Sequence, residues 1–284
     1  MAELNAMSAA VVQLNCQDDV TANLARVRHW TAEAARAGAR IVTLPENFAF
    51  VGDEAGKRSL AEEISNAAAG PIVSALREAA SKEGVYLVAG GMPEKSGDAD
   101  RPFNTSLLIA PDGSIAGSYR KIHLFDVDLA DGTSLRESRA TKPGPTAPVL
   151  ENAIPEVDGV PLGMTVCYDL RFPELYRMLE RKGARIFTVP AAFTLTTGKD
   201  HWHVLLRARA IENQAFVLAP AQTGKHTQSS GQSRQTYGKS LIVDPWGDVL
   251  AQCGEGEGFA VARLDFAYQD RVRASLPSLS HWRL

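Results

Sequence analysis

The chain reads the same way twice, and that repetition restricts its architecture more than any other feature. In the first half, a strand-like run at 10–14 precedes a helix whose Val20, Leu24, Val27, Thr31 and Ala34 recur at the step of one helix face. Asp18 or Asp19 is placed to cap this helix and Gly38 to end it. A strand over 40–44 follows, then a helix over 71–83 with proline at its first position and Gly84 behind it, then a strand over 85–89. Runs at 105–110 and 114–119, joined by Pro111-Asp112-Gly113, predict a hairpin. The second half gives a strand at 162–167, a helix at 173–182 closed by Gly183, and a strand at 185–190. A helix from about 200 to 214 comes next, on which Val204, Ala208, Ile211 and Ala215 keep the helical step. A run at 216–220 and a hairpin, 239–243 to 248–251 through Asp244-Pro245-Trp246-Gly247, complete it. Both halves are therefore β-α-β-α-β followed by a β-hairpin.

Strands apolar on both faces must be covered twice, and helices patterned on one face must cover a sheet. Two such halves pack sheet against sheet with helices outside. The expected fold class is α/β, a four-layer α-β-β-α sandwich forming a single domain over residues 1–284. Residues 142–161 read as a proline-containing connection, not a flexible linker. Two polar stretches, 123–148 and 223–237, resist assignment and are expected to be binding loops or lids beside the strand ends.

Composition removes several classes of function. A net charge of −3 and a pI near 6.1 give no reason to expect nucleic acid or an anionic membrane as partner. No apolar stretch approaches the ~20 residues that cross a bilayer. Met1-Ala2-Glu3-Leu4-Asn5 has neither the basic flank nor the apolar run of a signal peptide. Three widely spaced cysteines make no disulfide framework and no zinc site, so a reducing, cytoplasmic setting is expected. Asn104-Thr105-Ser106 fits the glycosylation pattern but carries no weight without a secretion signal.

Cys167 is the residue most suggestive of chemistry. It ends the run Gly163-Met164-Thr165-Val166, and Pro173-Glu174 then signals a helix. Outward-pointing amides at such a junction carry partial positive charge, which favours thiolate over thiol. Two other strand-like runs end in charge, at Glu46 after Ile41-Val42-Thr43-Leu44-Pro45 and at Lys121 after Ser118-Tyr119-Arg120. If the three converge, the carboxylate takes the thiol proton, the thiolate attacks a carbonyl carbon, and the ammonium with the Tyr168 N–H stabilises the oxyanion. That set suits acyl transfer from an amide or a nitrile and requires no metal or other cofactor. The plainer reading stands beside it: a lone cysteine is more often a small buried hydrophobe, and lone Glu and Lys are usually solvated. Spacing alone does not bring 46, 121 and 167 together.

The remaining candidates are weaker. Cys16 and Cys253 fit buried hydrophobes. His201 and His203 point to different helix faces, and no histidines have metal-ligand spacing. Gly90-Gly91 and the glycines of 254–258 open no helix and are not phosphate loops. Arg207 and Arg209 read as a solvated or interface face paired locally with Glu212, and Trp202 and Trp246 as core or turn anchors.

At this point the chain resembles the carbon–nitrogen hydrolase (nitrilase) superfamily and, within it, the Nit branch of amidases. The likeness runs from about residue 9 to residue 277. It is carried by Leu44-Pro45-Glu46, by Tyr119-Arg120-Lys121-Ile122-His123-Leu124-Phe125-Asp126, by the nine residues from Cys167 to Leu175, by the helix at 201–214, and by Tyr237-Gly238-Lys239-Ser240 with Asp244-Pro245-Trp246-Gly247. The resemblance implies Glu46 as general base, Lys121 as oxyanion stabiliser, Cys167 as nucleophile, and a second structural or catalytic glutamate at Glu137. It implies the αββα sandwich, a small-molecule amide substrate, and a homodimer or larger homo-oligomer. Ala221–His226 and the segment 193–198 point to two different sister activities of that branch. Arg171, four residues past the nucleophile, is a candidate for binding a substrate carboxylate, with a structural salt bridge as the competing account. Phe193 is a candidate pocket wall, with core packing as the alternative. A catalytically silent scaffold that keeps the fold is the non-enzymatic reading.

Overall fold

A computed structural model describes residues 5–67, 69–128, 134–145, 153–228, 231 and 233–283. Chain order begins β1 (Ala6–Gln13), α1 (Val20–Arg36), β2 (Ile41–Thr43), α2 (Glu54–Ser59), α3 (Pro71–Glu83) and β3 (Tyr86–Glu94). It continues through β4 (Phe103–Ile109), β5 (Ile115–Arg120), the short pair β6 (Asp126–Asp128) and β7 (Ser134–Arg136), then β8 (Glu156–Val157) and β9 (Val160–Met164). The second half holds α4 (Pro173–Arg181), β10 (Ile186–Thr188), α5 (Leu195–Asn213), β11 (Phe216–Ala219), β12 (Thr223–Thr227) and β13 (Ser233–Tyr237). β14 (Leu241–Val243), β15 (Val249–Gln252), β16 (Gly258–Asp265) and α6 (Phe266–Ser275) close it.

Two six-stranded sheets result, ordered β16-β1-β2-β3-β4-β5 and β15-β14-β11-β10-β9-β8. The run β1-β2-β3-β4-β5 in one corresponds to β9-β10-β11-β14-β15 in the other, each with three parallel strands and an antiparallel hairpin. Alternation along β1 sorts its side chains between two apolar clusters. Ala9 and Val11 join a cluster with Leu162, Met164, Ile186 and Leu218 of the second sheet, so the sheets pack face to face. Ala10 and Val12 join Leu24 and Val27 of α1 and Val73 and Leu76 of α3, which cover the outer face. Tyr176 of α4 and Trp202 and Leu206 of α5 cover the second sheet, completing the four-layer α-β-β-α sandwich.

Helix ends follow the local chemistry expected of them. The Asp19 side chain accepts from the Ala22 N–H and starts α1, and Gly38 at φ +87 turns the chain away after it. Four expectations are corrected. α5 begins at Leu195, five residues before 200, because the Thr194 side chain caps it through the Thr197 N–H. The step that starts at Val204 does not mark its buried face: Val204 is 66% and Ile211 47% exposed, while Arg209 and Asn213 are buried. β16 and α6 were not anticipated; β16 pairs along the whole of β1. The stretches read as loops hold two-stranded ribbons, β6–β7 and β12–β13. Within 142–161 the structure gives β8 paired with β9; residues 146–152 of that connection lie outside the described residues, as do Met1 to Leu4. Among the described residues no helix is long and apolar enough to cross a membrane.

Candidate active site

Three strand ends deliver the three residues singled out above. β2 runs through Leu44 and Pro45 to Glu46, β5 ends one residue before Lys121, and Cys167 opens a 3-10 turn (Cys167–Arg171) three residues past β9. The Lys121 ammonium is 2% exposed and stands 3.0 Å from Glu46 Oε1. It also lies 3.0 and 2.8 Å from the two carboxylate oxygens of Glu137. Glu137 is held in turn by the Phe125 N–H at 2.7 Å. The Asn104 carboxamide donates to Glu46 Oε1 at 2.9 Å, and Gln222 donates to the Glu46 backbone carbonyl at 3.0 Å.

Electrostatics fixes the charge on this cluster. Burial pushes the Lys121 ammonium toward neutrality, but Glu137, Glu46 and Cys167 outweigh it and hold its pKa well above the usual lysine value. Burial likewise raises Glu137, and Lys121, Lys57 and the Phe125 N–H overcome that to leave it below the ordinary carboxylate value. Cys167 departs from the expectation of a resting thiolate. Its thiol is 8% exposed, and burial together with the Glu46 carboxylate raises its pKa well above the ordinary value, against the opposing pull of Lys121 and the Ala192 N–H. These neighbours favour the thiol over the thiolate, with the Glu46 side chain beside it.

The turn that carries Cys167 is fastened from several sides. Its backbone has φ +48, a left-handed conformation for a residue with a side chain. The Cys167 N–H donates to Pro190 O at 2.8 Å and the Asp169 N–H to Val166 O at 3.1 Å, with the Tyr168 N–H between them. Buried Asp169 accepts from the Val166 N–H and the Tyr119 hydroxyl, each at 2.8 Å, and lies 2.7 Å from His123 Nδ1. His123, stacked on Phe172, is thereby committed to Asp169. The Arg209 guanidinium donates to Leu170 O at 3.1 and 2.7 Å, which explains its burial on α5.

A cavity of about 640 Å³ opens over Glu46, Lys121, Glu137 and Cys167. Lys57 of α2, Phe125, Thr194 and Arg234 of β13 contribute to its wall. Arg171 and Phe193 do not line it. Phe193 packs on Trp202 with ring centroids 5.0 Å apart, and the Arg171 guanidinium lies 5.5 Å from the Phe193 ring and 3.4 Å from His201 Nδ1. Arg171 makes no salt bridge among the described residues, so its structural alternative is not realised either.

Sequence reading passed over Asn104, Asp169, Lys57 and Arg234. It dismissed Asn104 as an idle glycosylation pattern, yet the residue is buried against Glu46. A usable signal lay in Gly90-Gly91, because paired glycines inside a strand mark a bulge or a close approach. The register of β3 shifts there. A Cβ on Gly90 would meet Pro45 O at 2.2 Å, and one on Gly91 would meet Asn104 Oδ1 at 1.8 Å. The two glycines admit the segment that carries Glu46 and the amide that holds it.

The family model for carbon-nitrogen hydrolases matches residues 8–274. The chain belongs to the carbon-nitrogen hydrolase family. It is 43% identical over 274 residues to a deaminated glutathione amidase of Synechocystis sp., covering 96% of this chain and 97% of that protein. The crystal structure of the C. elegans NitFhit protein superposes with a TM-score of 0.88 at 38% identity, over 98% of this chain and 65% of that one. Saccharomyces cerevisiae Nit3, a member of branch 10 of the nitrilase superfamily, gives a TM-score of 0.83 at 32% identity, over 96% and 95% of the two chains. As a carbon-nitrogen hydrolase with amidase relatives, the protein is an amide-hydrolysing enzyme.

Proposed function

We propose that Glu46, Lys121, Glu137 and Cys167 hydrolyse a linear amide through a cysteine thioester. Glu46 removes the thiol proton as Sγ attacks the amide carbon, and the carbonyl electrons move onto oxygen. Lys121 and the Tyr168 N–H stabilise that oxyanion. Collapse breaks the carbon–nitrogen bond while Glu46 returns the proton to the departing amine. Water then enters, Glu46 takes one of its protons, hydroxide adds to the thioester, and collapse breaks the carbon–sulfur bond, releasing the acid while Glu46 returns its proton to the sulfur. Glu137 keeps the ammonium charged and aimed throughout. The observation that supports this reading best is the buried 3.0 Å Lys121–Glu46 pair in the same cavity wall as Cys167.

The substrate we propose is deaminated glutathione, cleaved to 2-oxoglutarate and cysteinylglycine, a metabolite-repair reaction. Support comes from the relatives that carry the name deaminated glutathione amidase at 37–43% identity over nearly the whole chain. The segment around Thr194 and Leu195, which lines the cavity, favours the sister activity of ω-amidase on 2-oxoglutaramate as a second reading. Release of cysteinylglycine by the wild-type protein, its loss in Cys167→Ala, and an acyl adduct on Cys167 by intact mass are the expected results. Full activity of Cys167→Ala overturns the cysteine mechanism, whereas no turnover and no adduct with any amide favours a silent scaffold. Comparing kcat/KM on deaminated glutathione and 2-oxoglutaramate decides between the two substrates.

We further take residues 1–284 as one catalytic domain working in the cytoplasm, and as a homodimer or larger assembly. The apolar cluster shared by both sheets supports the first part. Exposed Met178, Val204, Ile211 and Trp246 on and beside the α4–α5 layer support the last, and a monomer in sedimentation would refute it.

A further inference from the structure

Four cations stand in the cavity wall, and they differ in what neutralises them. Lys121 is held by Glu46 and Glu137, and Arg136 by Asp128 at 2.5 Å. Among the described residues Lys57 hydrogen-bonds only to the Thr141 hydroxyl, at 3.1 Å, and neither Lys57 nor Arg234 forms an ion pair with a described carboxylate. The other acids of the wall do not serve them: Asp53 is committed to the Gly56 N–H as the cap of α2, and Glu54 is exposed at the first turn of that helix. Burial pushes Lys57 below its ordinary pKa despite the pull of Glu137 and Glu46, with Lys121 and Arg234 adding to the depression. Arg234 is close enough to interact electrostatically with Glu46, Cys167 and Glu137. An ammonium and a guanidinium that share the cavity with Cys167 and have no contact ion pair among the described residues suit one kind of ligand, an anion that supplies both oxygens.

We propose that Lys57 and Arg234 bind a free carboxylate of the amide substrate, so that the site selects acidic amides over neutral amides of the same shape. This rests on the amidase reading above and assigns to these two residues the role that sequence reasoning gave to Arg171. Both are carried by pieces added to the two large sheets, α2 and the β12–β13 ribbon. The ribbon is anchored opposite Arg234 by buried His226, whose ring lies 2.6 Å from Cys16 O and 2.7 Å from Thr236 Oγ1. Selectivity is thereby separated from the strand ends that hold the reacting groups.

Two substrate pairs test the proposal and locate the carboxylate. Glutaramate against pentanamide places it on the acyl side, and N-butyrylglycine against N-butyrylglycinamide places it on the amine side. The wild-type protein is expected to prefer the acid in at least one pair. Lys57→Met and Arg234→Met should each lower that preference by about tenfold to a hundredfold, mainly through KM. Lys57→Arg and Arg234→Lys should restore most of it, and added salt should narrow it. No preference for the acid in either pair, or an unchanged preference in both methionine variants, overturns the proposal. Absence of turnover with all these amides would instead strike the amidase reading. Calorimetry with glutarate then decides the present point: binding weakened at least about tenfold in Lys57→Met upholds it, and no binding sinks it.

Discussion

Replacing Lys121 with methionine keeps most of the side-chain volume and deletes the charge that joins Glu46 to Glu137. The structure sets the size of the effect. The ammonium makes three contacts of 2.8–3.0 Å to two carboxylates and is almost wholly removed from water. Breaking a buried ion pair by removing one partner costs about 3–5 kcal/mol, a large share of the ~5–15 kcal/mol of a typical domain. The two carboxyls, both within reach of the Asn104 carboxamide, then face each other with no contact ion pair, Lys57 and Arg234 lying farther off in the wall. They share one proton, since neighbouring like charges do not both ionise. That proton is bound in the native state and not in the unfolded chain, so the variant becomes more stable as pH falls. The slope is up to about 1.4 kcal/mol per pH unit between the unfolded carboxylate value and the raised value of the pair. The wild type behaves otherwise. Glu137, held below its ordinary pKa, contributes stability that is lost only as acid protonates it. Lys121, held above its own, contributes stability that is lost only as pH rises through that raised value. Urea unfolding of both proteins between about pH 6 and about pH 8 should therefore show a flat contribution from this cluster in the wild type and a falling line in the variant. Amide hydrolysis should drop at least about a hundredfold. A variant that loses less than about 1 kcal/mol and shows no slope would refute the argument that these charges form one buried unit.

Two further outcomes follow from neighbouring contacts. Gly91→Ala places a Cβ on the Asn104 carboxamide and should cost about 1–3 kcal/mol and much of the activity; adding Asn104→Ala should cost less than the sum of the single changes in a double-mutant cycle. Burial pushes buried His226 to about 4 from an ordinary 6.5, so the unfolded chain takes up the proton first and stability is lost as pH falls between those values. The full loss is about 3 kcal/mol, and His226→Gln should flatten that part of the melting temperature profile.

The strands and helix ends were legible because their signals are local. Asp19, Pro71, Gly84 and Gly183 sit at the element ends where their backbone preferences place them. The α5 face was not legible, because hydrophobicity there misleads. Val204 and Ile211 look like core residues and are exposed, while Arg209 and Asn213 are buried by hydrogen bonds to Leu170 and to the Arg209 carbonyl. Among site residues, strand ends drew attention to 46, 121 and 167, and resemblance alone drew attention to 137. Lys57 and Arg234 were invisible, since nothing in their local sequence tells that a cation lacks a counter-ion across a fold. Asn104 hid for the same reason. Its role depends on a carboxylate 58 positions earlier in the chain.

The left-handed backbone at Cys167 also bears on how such a chain ages. A side chain in that conformation is disfavoured by roughly 1–2 kcal/mol relative to glycine, a standing discomfort tolerated for the sake of a sulfur aimed into the cavity. Under the cysteine mechanism proposed above, a lineage released from catalysis gains by dropping it. Glycine or asparagine at this place would sit more easily and leave an inert but more heat-resistant protein, so thermal robustness in a relative lacking the thiol would be a mark of lost work.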